Sequence, residues 1–284
     1  MLSCFRVFVI AVALLCPVSA AVAQSRDDTA RERAEYLAWL ETAPNSPLAA
    51  VAQQPVGAGL SLGPADADIP LDGVARHRVA AEGGALILEA PSGKRPVIRG
   101  RPVRLGRYTL YLSGSSRGTV VTVFGGASGK RPPGYYQYDS SMIFTGPLLP
   151  PEQRSRVRVL AADGIEVEAT EVGSFLVSLG RPTRLRVLRM PGAVADESEL
   201  EIFFRDGSNG DGTYPAGRFV SLIPLGSGEY RLDLNRARNP FCAYNSVYPC
   251  PAPWRGNTVT AAVRAGERYA GAGLGVTPSQ PETE

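Results

Sequence analysis

The densest chemistry in the chain lies in NPFCAYNSVYPC, residues 239–250, where two cysteines, two asparagines and two tyrosines share one short stretch. Three chemistries fit Cys242 and Cys250. A thiol nucleophile wants a histidine partner and a lowered pKa, yet the single histidine, His77, stands far upstream. A zinc site wants two more good ligands beside the pair, which only His77 or distant carboxylates offer. A disulfide needs only a compact loop, and closing one this short contributes roughly 2–3 kcal/mol in the chain-entropy picture. The cysteine count favours the disulfide. Residues 1–23 read as a secretory signal peptide with a basic start, MLSCFR, an apolar run, VFVIAVALLCPV, and a small-residue cleavage site at Ala21-Val22-Ala23. Its removal takes away Cys4 and Cys16 and leaves Cys242 and Cys250 alone in an oxidising compartment. The expected mature start is Gln24, with cleavage after Ala20 as the alternative, and the expected location is the periplasm or the secreted fraction. No other run approaches the roughly eighteen apolar residues of a spanning helix, so no membrane span is expected in the mature form.

Two neighbouring segments carry the remaining candidates. In DLNRARNP, Asn235 and Asn239 bracket two arginines. Asparagines there can fix turns by bonding nearby backbone, or can cradle a ligand while Arg236 or Arg238 offers the fork that suits carboxylate or phosphate. In FFRDGSNGDGTYPAGR, residues 203–218, the oxygens of Asp206, Ser208, Asn209 and Asp211 sit among glycines. The run lacks the glutamate and the ligand alternation of a helix-loop-helix calcium loop, and reads better as a glycine-rich turn. Pairing of its flanking strands would set Arg205 and Asp206 opposite Arg218. The candidate ligand surface is therefore a cleft floor of Arg205, Asp206, Arg218, Asn235 and Asn239 with Tyr214 and Tyr244 as walls, suited to a small polar or anionic ligand. The expected function is an exported binding or structural module for a small molecule or an envelope component, and a hydrolase using Asp206 or Asp233 is the alternative. It has no GxSxG elbow to draw on, and spacing alone nominates no facing carboxylate pair. No phosphate loop or dinucleotide fingerprint occurs, so no metal and no cofactor are expected.

Composition bounds the partners. Thirty Lys and Arg oppose 27 Asp and Glu, and loss of Arg6 with the signal leaves 29 against 27, which is no electrostatic footprint for nucleic acid. The 31 glycines and 24 prolines favour short strands joined by tight turns.

The elements that must position these residues follow from periodicity. DDTARERAEYLAWLETAP predicts a helix stopped by Pro44, with Tyr36 and Trp39 packed on the body and a linker reaching residue 54. GLSLG, GVARHRV, ALILEA, PVIRG, VRLGRYTLYLSG and GTVVTVFG predict the strands of a small β-sandwich over residues 55–125. A Tyr-, Gly- and Pro-rich connection follows, in which Tyr135, Tyr136 and Tyr138 can line a cleft or cover the end of a sandwich. SRVRVLAADG, IEVEATEVG, FLVSLG, TRLRVLRM, SELEIFFRDG, GRFVSLIPLG and EYRLDLN predict a second, antiparallel β domain within residues 126–271, whose strands have one wet face. Residues 272–284 read as a flexible tail. The fold class is thus mainly β with an N-terminal helix.

Two resemblances extend this reading. SLGPADADIPLDGVARHRV and KRPVIRGRPVRLGRYTL resemble the front of a forkhead-associated domain. Pro64 stands where that family has its phosphothreonine-binding arginine, and Arg76 where a serine should precede His77, so the resemblance implies shape and not phosphopeptide recognition. The C-terminal segment resembles the family catalogued as domain of unknown function 1684, whose hallmark runs D-F-N-R-A-Y-N-P-P-C-A-F, then a second cysteine with proline, then A-G-E-K. Asp233, Asn235, Arg236, Ala237, Asn239, Pro240, Cys242 and Ala243 match the first part, Cys250 and Pro251 the second, and Ala265, Gly266 and Glu267 the third. Leu234, Arg238 and Phe241 depart from it. IFTGPLLPPEQRSRVRV fits an upstream turn and strand of the family, with Leu148 and Leu149 in place of its aromatics. The likeness implies a two-part β-rich architecture with a forkhead-associated-like front half and brings no reaction with it.

Overall fold

The computed structural model describes residues 17–115, 118–126, 132–151, 155–191, 198–252 and 254–269. Residues 1–16 of the expected signal segment and the whole expected tail, 272–284, lie outside the described residues. Helix α1 covers Pro17–Thr42. Its Ala, Glu, Arg and Leu content favours helix, and Pro44 stands just past its end. Beyond it Ser46 ties the exit, its Oγ donating to the Leu40 carbonyl and accepting from the Leu48 amide at 3.0 Å.

Nine strands follow in the front half: β1 (Ala50–Pro55), β2 (Leu60–Gly63), β3 (Ile69–Pro70), β4 (His77–Glu82), β5 (Ala85–Ala90), β6 (Gly93–Val97), β7 (Val103–Leu105), β8 (Tyr108–Ser115) and β9 (Gly118–Phe124). They form a five-stranded sheet in the order β3-β2-β4-β5-β6 and a four-stranded sheet in the order β1-β9-β8-β7. One apolar core serves both, with Leu60, Leu62, Val79 and Leu88 from the first and Leu110, Leu112, Val121 and Val123 from the second. Each such side chain, fully buried, contributes about 1.5–3 kcal/mol. Strand β1 falls in the stretch read as linker. AVAQQP has almost no alternation of its own and becomes a strand by pairing with β9, Gln54 opposite Val121.

The second half holds β10 (Ile143–Pro147), β11 (Arg156–Leu160), β12 (Glu166–Leu179), β13 (Arg181–Pro191), β14 (Ser198–Phe204), β15 (Arg218–Gly226) and β16 (Glu229–Asp233). They build one antiparallel sheet in the order β10-β16-β15-β14-β13-β12-β11. IEVEATEV and FLVSL, expected as two strands, are one, continued through a bulge at Gly173. A Cβ there would collide with the Leu149 carbonyl. Leu149, just past β10, exchanges amide bonds of 2.9 and 2.8 Å with Ser174 of β12, so the sheet curls toward itself. One sheet face packs Phe175, Val187, Ile202 and Leu232 against Val259 and Val263 of the C-terminal segment. The other carries Leu188, Met190, Phe203 and Phe219 beneath Trp254.

From Leu234 to Tyr269 the described chain forms no strand of the three sheets, and side chains hold it down. Arg218, fully buried, donates from Nη2 to Asp206 Oδ2 at 2.9 Å and to the Val263 carbonyl at 2.8 Å, and from Nη1 to the carbonyls of Ala265 and Glu267. Asp206 Oδ1 in turn accepts from the Val263 amide at 3.0 Å, the Ser208 amide at 2.8 Å and the Ser208 hydroxyl. Cys242 and Cys250 form a disulfide with their α-carbons 5.5 Å apart, and the Tyr214 hydroxyl lies 3.2 Å from each sulfur.

Removing one member of a buried ion pair leaves the other uncompensated at a cost of about 3–5 kcal/mol. Asp206→Asn is therefore expected to lose about that much in urea unfolding; a loss below about 1 kcal/mol would mean that the guanidinium is held by the carbonyls alone. Reduction and alkylation of Cys242 and Cys250 should cost about 2–3 kcal/mol by the same measurement, and neither thiol should be labelled before reduction.

Candidate functional site

Helix α1 lies against the signature segment through polar and aromatic contacts. Arg33 donates to the Tyr136 carbonyl at 3.0 Å and to the Asn235 carbonyl at 2.7 Å while its guanidinium covers the Tyr135 ring at 4.6 Å. Glu32 pairs with Arg236 at 3.1 Å. Tyr36 stacks on Trp39 with centroids 5.5 Å apart, and the Arg238 guanidinium lies over the Tyr36 ring at 4.2 Å. These residues recur at three- and four-residue intervals and so share one side of the helix.

Beneath the helix is a half-open cavity of about 680 Å³, floored by the sheet face that carries Met190, Glu201 and Phe219 and walled by Trp39, Ala162 and Phe241. Glu201 belongs to β14, where alternation puts Glu199, Glu201 and Phe203 on this face and Leu200, Ile202 and Phe204 on the opposite one. Its cross-strand neighbours are Leu188 of β13 and Ser221 of β15. Two residues before Ser221, Phe219 bridges to Arg238 on the other side of β15, which brings the acid and the guanidinium to one region of the floor.

The Glu201 side chain has no hydrogen bond and no ion pair among the described residues. Burial pushes its carboxyl up to about 7, the Glu199 and Asp163 charges push the same way, and Arg238 opposes them. Asp163 is itself pushed up by burial, although the Ile165 amide donates to it at 3.0 Å. A carboxyl raised toward neutrality that also faces open space makes Glu201 the candidate functional group of this cavity.

The seven residues proposed as a cleft are placed in several environments. Arg218 and Asp206 form the internal clamp. Asn235 is buried and binds backbone, its Oδ1 accepting from the Asp139 amide and its Nδ2 donating to the Asp139 carbonyl, both at 2.8 Å. Tyr214 is buried over the disulfide. Tyr244 donates to Glu267 Oε2 at 2.5 Å. Glu267 also accepts from the Asn239 amide at 2.7 Å and from the Tyr135 hydroxyl at 3.1 Å. Burial raises the Glu267 carboxyl, while these donors and Arg238 pull it down. Arg205 is exposed, its backbone paired to Asn257 and Val259. Asn239 alone of the seven lines the cavity. Glu201, Asp163 and Trp39 escaped the sequence reading because SELEIFF reads as a strand with a wet acidic face; only the helix packed over that face changes its meaning.

Because Glu201 loses its proton near 7 in the fold and near its ordinary value of about 4.3 when unfolded, its contribution favours the fold at low pH and fades as pH rises through 7. Glu201→Gln is expected to raise the melting temperature by about 2–4 °C at pH 8 and to leave it unchanged near pH 4. An equal shift at both pH values would show that the carboxyl is not perturbed.

Comparison with known proteins adds a family and solved structures. No curated protein matches the chain. A solution NMR structure of an uncharacterized protein from Haloarcula marismortui is 32% identical, over 48% of this chain and 75% of that one, with a TM-score of 0.41. The matched range of the family, residues 134–268, takes in the seven-stranded sheet, the disulfide and Glu267 but leaves out α1 and both front sheets. Through those residues the chain belongs to the family described as "Protein of unknown function (DUF1684)".

Proposed function

We propose that the protein is an exported binding module, which holds a small polar ligand in the cavity between α1 and the seven-stranded sheet. The observation that carries this reading is Glu201, a carboxyl with no hydrogen bond or ion pair among the described residues, in a cavity of about 680 Å³. Cavities of that size with few polar groups on aromatic walls are the usual form of small-molecule sites. In this reading the forkhead-associated-like front half, residues 55–125, acts as a mount through residues 47–53, whose strand β1 pairs with β9. Asn245 Nδ2 reaches the Pro47 and Ala50 carbonyls at 2.9 and 2.7 Å, and Gln53 Nε2 reaches the Asp163 carbonyl at 3.2 Å. The position of Asp163 at the cavity wall thus depends on the front half.

Hydrolysis through Asp206 or Asp233 has less support. Asp206 is saturated by Arg218, Ser208 and the Val263 amide, and Asp233 is fully buried with Oδ1 accepting from both nitrogens of Asn235. A general base has to reach a substrate proton, and neither carboxylate faces the cavity.

Trp39 offers a direct test. In a Trp254→Phe background its emission reports the cavity alone, and a panel of small amines, carboxylates and neutral polar compounds should contain members that change it saturably. Ala162→Phe, which adds a bulky ring at the cavity wall, should weaken the response. Absence of any saturable change across all three classes would overturn the binding reading.

A further inference from the structure

The charges around the cavity are unequal. Glu32, Asp163, Glu199 and Glu201 line it against only Arg236 and Arg238, and both arginines are already compensated. Arg236 sits 3.1 Å from Glu32 and 3.5 Å from Asp233. Arg238 lies on the Tyr36 ring and in the field of the buried Glu267 carboxylate. Glu201 and Glu199 have no ion pair among the described residues, and Arg238 reaches Glu201 only through its field. The arginines that suggested an anionic ligand in the sequence are, in the fold, answered from within.

A second observation is independent of this balance. Asn239 lines the cavity, is 2% exposed, and has an Oδ1 with no hydrogen-bond partner among the described residues. Its Nδ2 donates to the Arg268 carbonyl at 3.2 Å, which fixes the amide orientation, so the orphaned atom is an acceptor. A buried acceptor without a donor costs about 1–3 kcal/mol; a ligand that brings N–H groups would supply one. The walls are aromatic: Tyr36 and Trp39 are stacked, and Trp39 and Phe241 have centroids 6.4 Å apart. Aromatic faces attract cations through the ring quadrupole. Among the described residues no three His, Cys, Asp or Glu side chains are grouped to hold a metal ion, which points to an organic rather than a metallic cation.

We propose that the cavity selects an organic cation, a small molecule with a protonated amine on an apolar body, using the Glu201 carboxylate as charge partner, Asn239 Oδ1 as a further acceptor, and Tyr36, Trp39 and Phe241 as walls. This rests on the binding reading above and narrows it to one class of ligand. Uptake requires Glu201 ionised, and the groups facing it set where that happens: Glu199 on its own strand, Asp163 from the loop before β12, Arg238 after β16, and Glu32 with Tyr36 from α1. Affinity should accordingly fall as pH drops through 7.

Titration calorimetry on the full chain with 2-phenylethylamine, 2-phenylethanol and 3-phenylpropionate tests the class. At pH 8 the amine is expected to bind at least about tenfold more tightly than either control. Its affinity should fall about tenfold at pH 6, as the ionised fraction of a group titrating near 7 falls. Glu201→Gln should remove the preference for the amine, and Glu199→Gln, an exposed change that leaves the interior untouched, should weaken it about twofold. An amine bound no better than the alcohol, or bound equally by Glu201→Gln, overturns the proposal. If 3-phenylpropionate binds best, the class is wrong and the cavity remains a binding site; if none of the three binds and the wider panel is silent, both readings fall.

Discussion

A guanidinium with no exposed surface must have its charge and its donors answered from inside the protein. Arg218 gets that answer for both Nη atoms, though not for Nε among the described residues, from Asp206 and from a stretch of chain that belongs to no sheet. Asp206 supplies the countercharge, and the carbonyls of Val263, Ala265 and Glu267 supply the acceptors. The geometry is mutual, because Asp206 also accepts the Val263 amide. Were the pair replaced by apolar side chains, the sheet could still form, but the C-terminal segment would lose the partners of its backbone groups. The clamp fixes the backbone from Val263 to Glu267, and Tyr244, Tyr135 and the Asn239 amide then hold the Glu267 carboxyl.

Buried asparagines extend the same logic. A primary amide has the donor and acceptor of a peptide unit, so it can stand in for a missing strand. Asn235 bonds both the amide and the carbonyl of Asp139, and Asn257 does the same to Arg186, accepting at 2.7 Å and donating at 3.0 Å. Asn245 answers two carbonyls of the linker. Irregular backbone is thereby satisfied without a ladder, which is what a chain this rich in glycine and proline requires.

The mainly β character, the helix before Pro44 and the disulfide were legible in the sequence because each rests on local pattern: alternation, a helix breaker, and a cysteine pair in one loop. Strand β1 was not, since AVAQQP becomes a strand only through β9. The aspartates and asparagines of the signature were legible as residues that matter, while their purpose was hidden. DLNRARNP looks like turn chemistry or a ligand cradle, and its partner Asp139 lies 96 residues away from Asn235. Glu201 was the least legible. Period-two alternation says which residues share a face and nothing about what covers that face.

What covers it is α1, and the manner of covering explains why a cavity survives there. An apolar helix packed on Leu188, Met190 and Phe203 would close the interface as a core. Here the contact side of α1 carries Glu32, Arg33, Tyr36 and Trp39, and Arg33 and Glu32 are drawn to the signature segment by hydrogen bonds and an ion pair rather than down onto the sheet. Tyr36 is held aside by Arg238 and by its 3.5 Å contact with the Tyr244 hydroxyl. The helix is thus suspended along one edge, and the acidic half of the floor is left without a partner. A carboxyl in such a position weakens the folded state above its pKa. The fold tolerates it because its stability is invested in the Arg218 clamp, the two apolar faces of the large sheet and the front core, none of which needs Glu201.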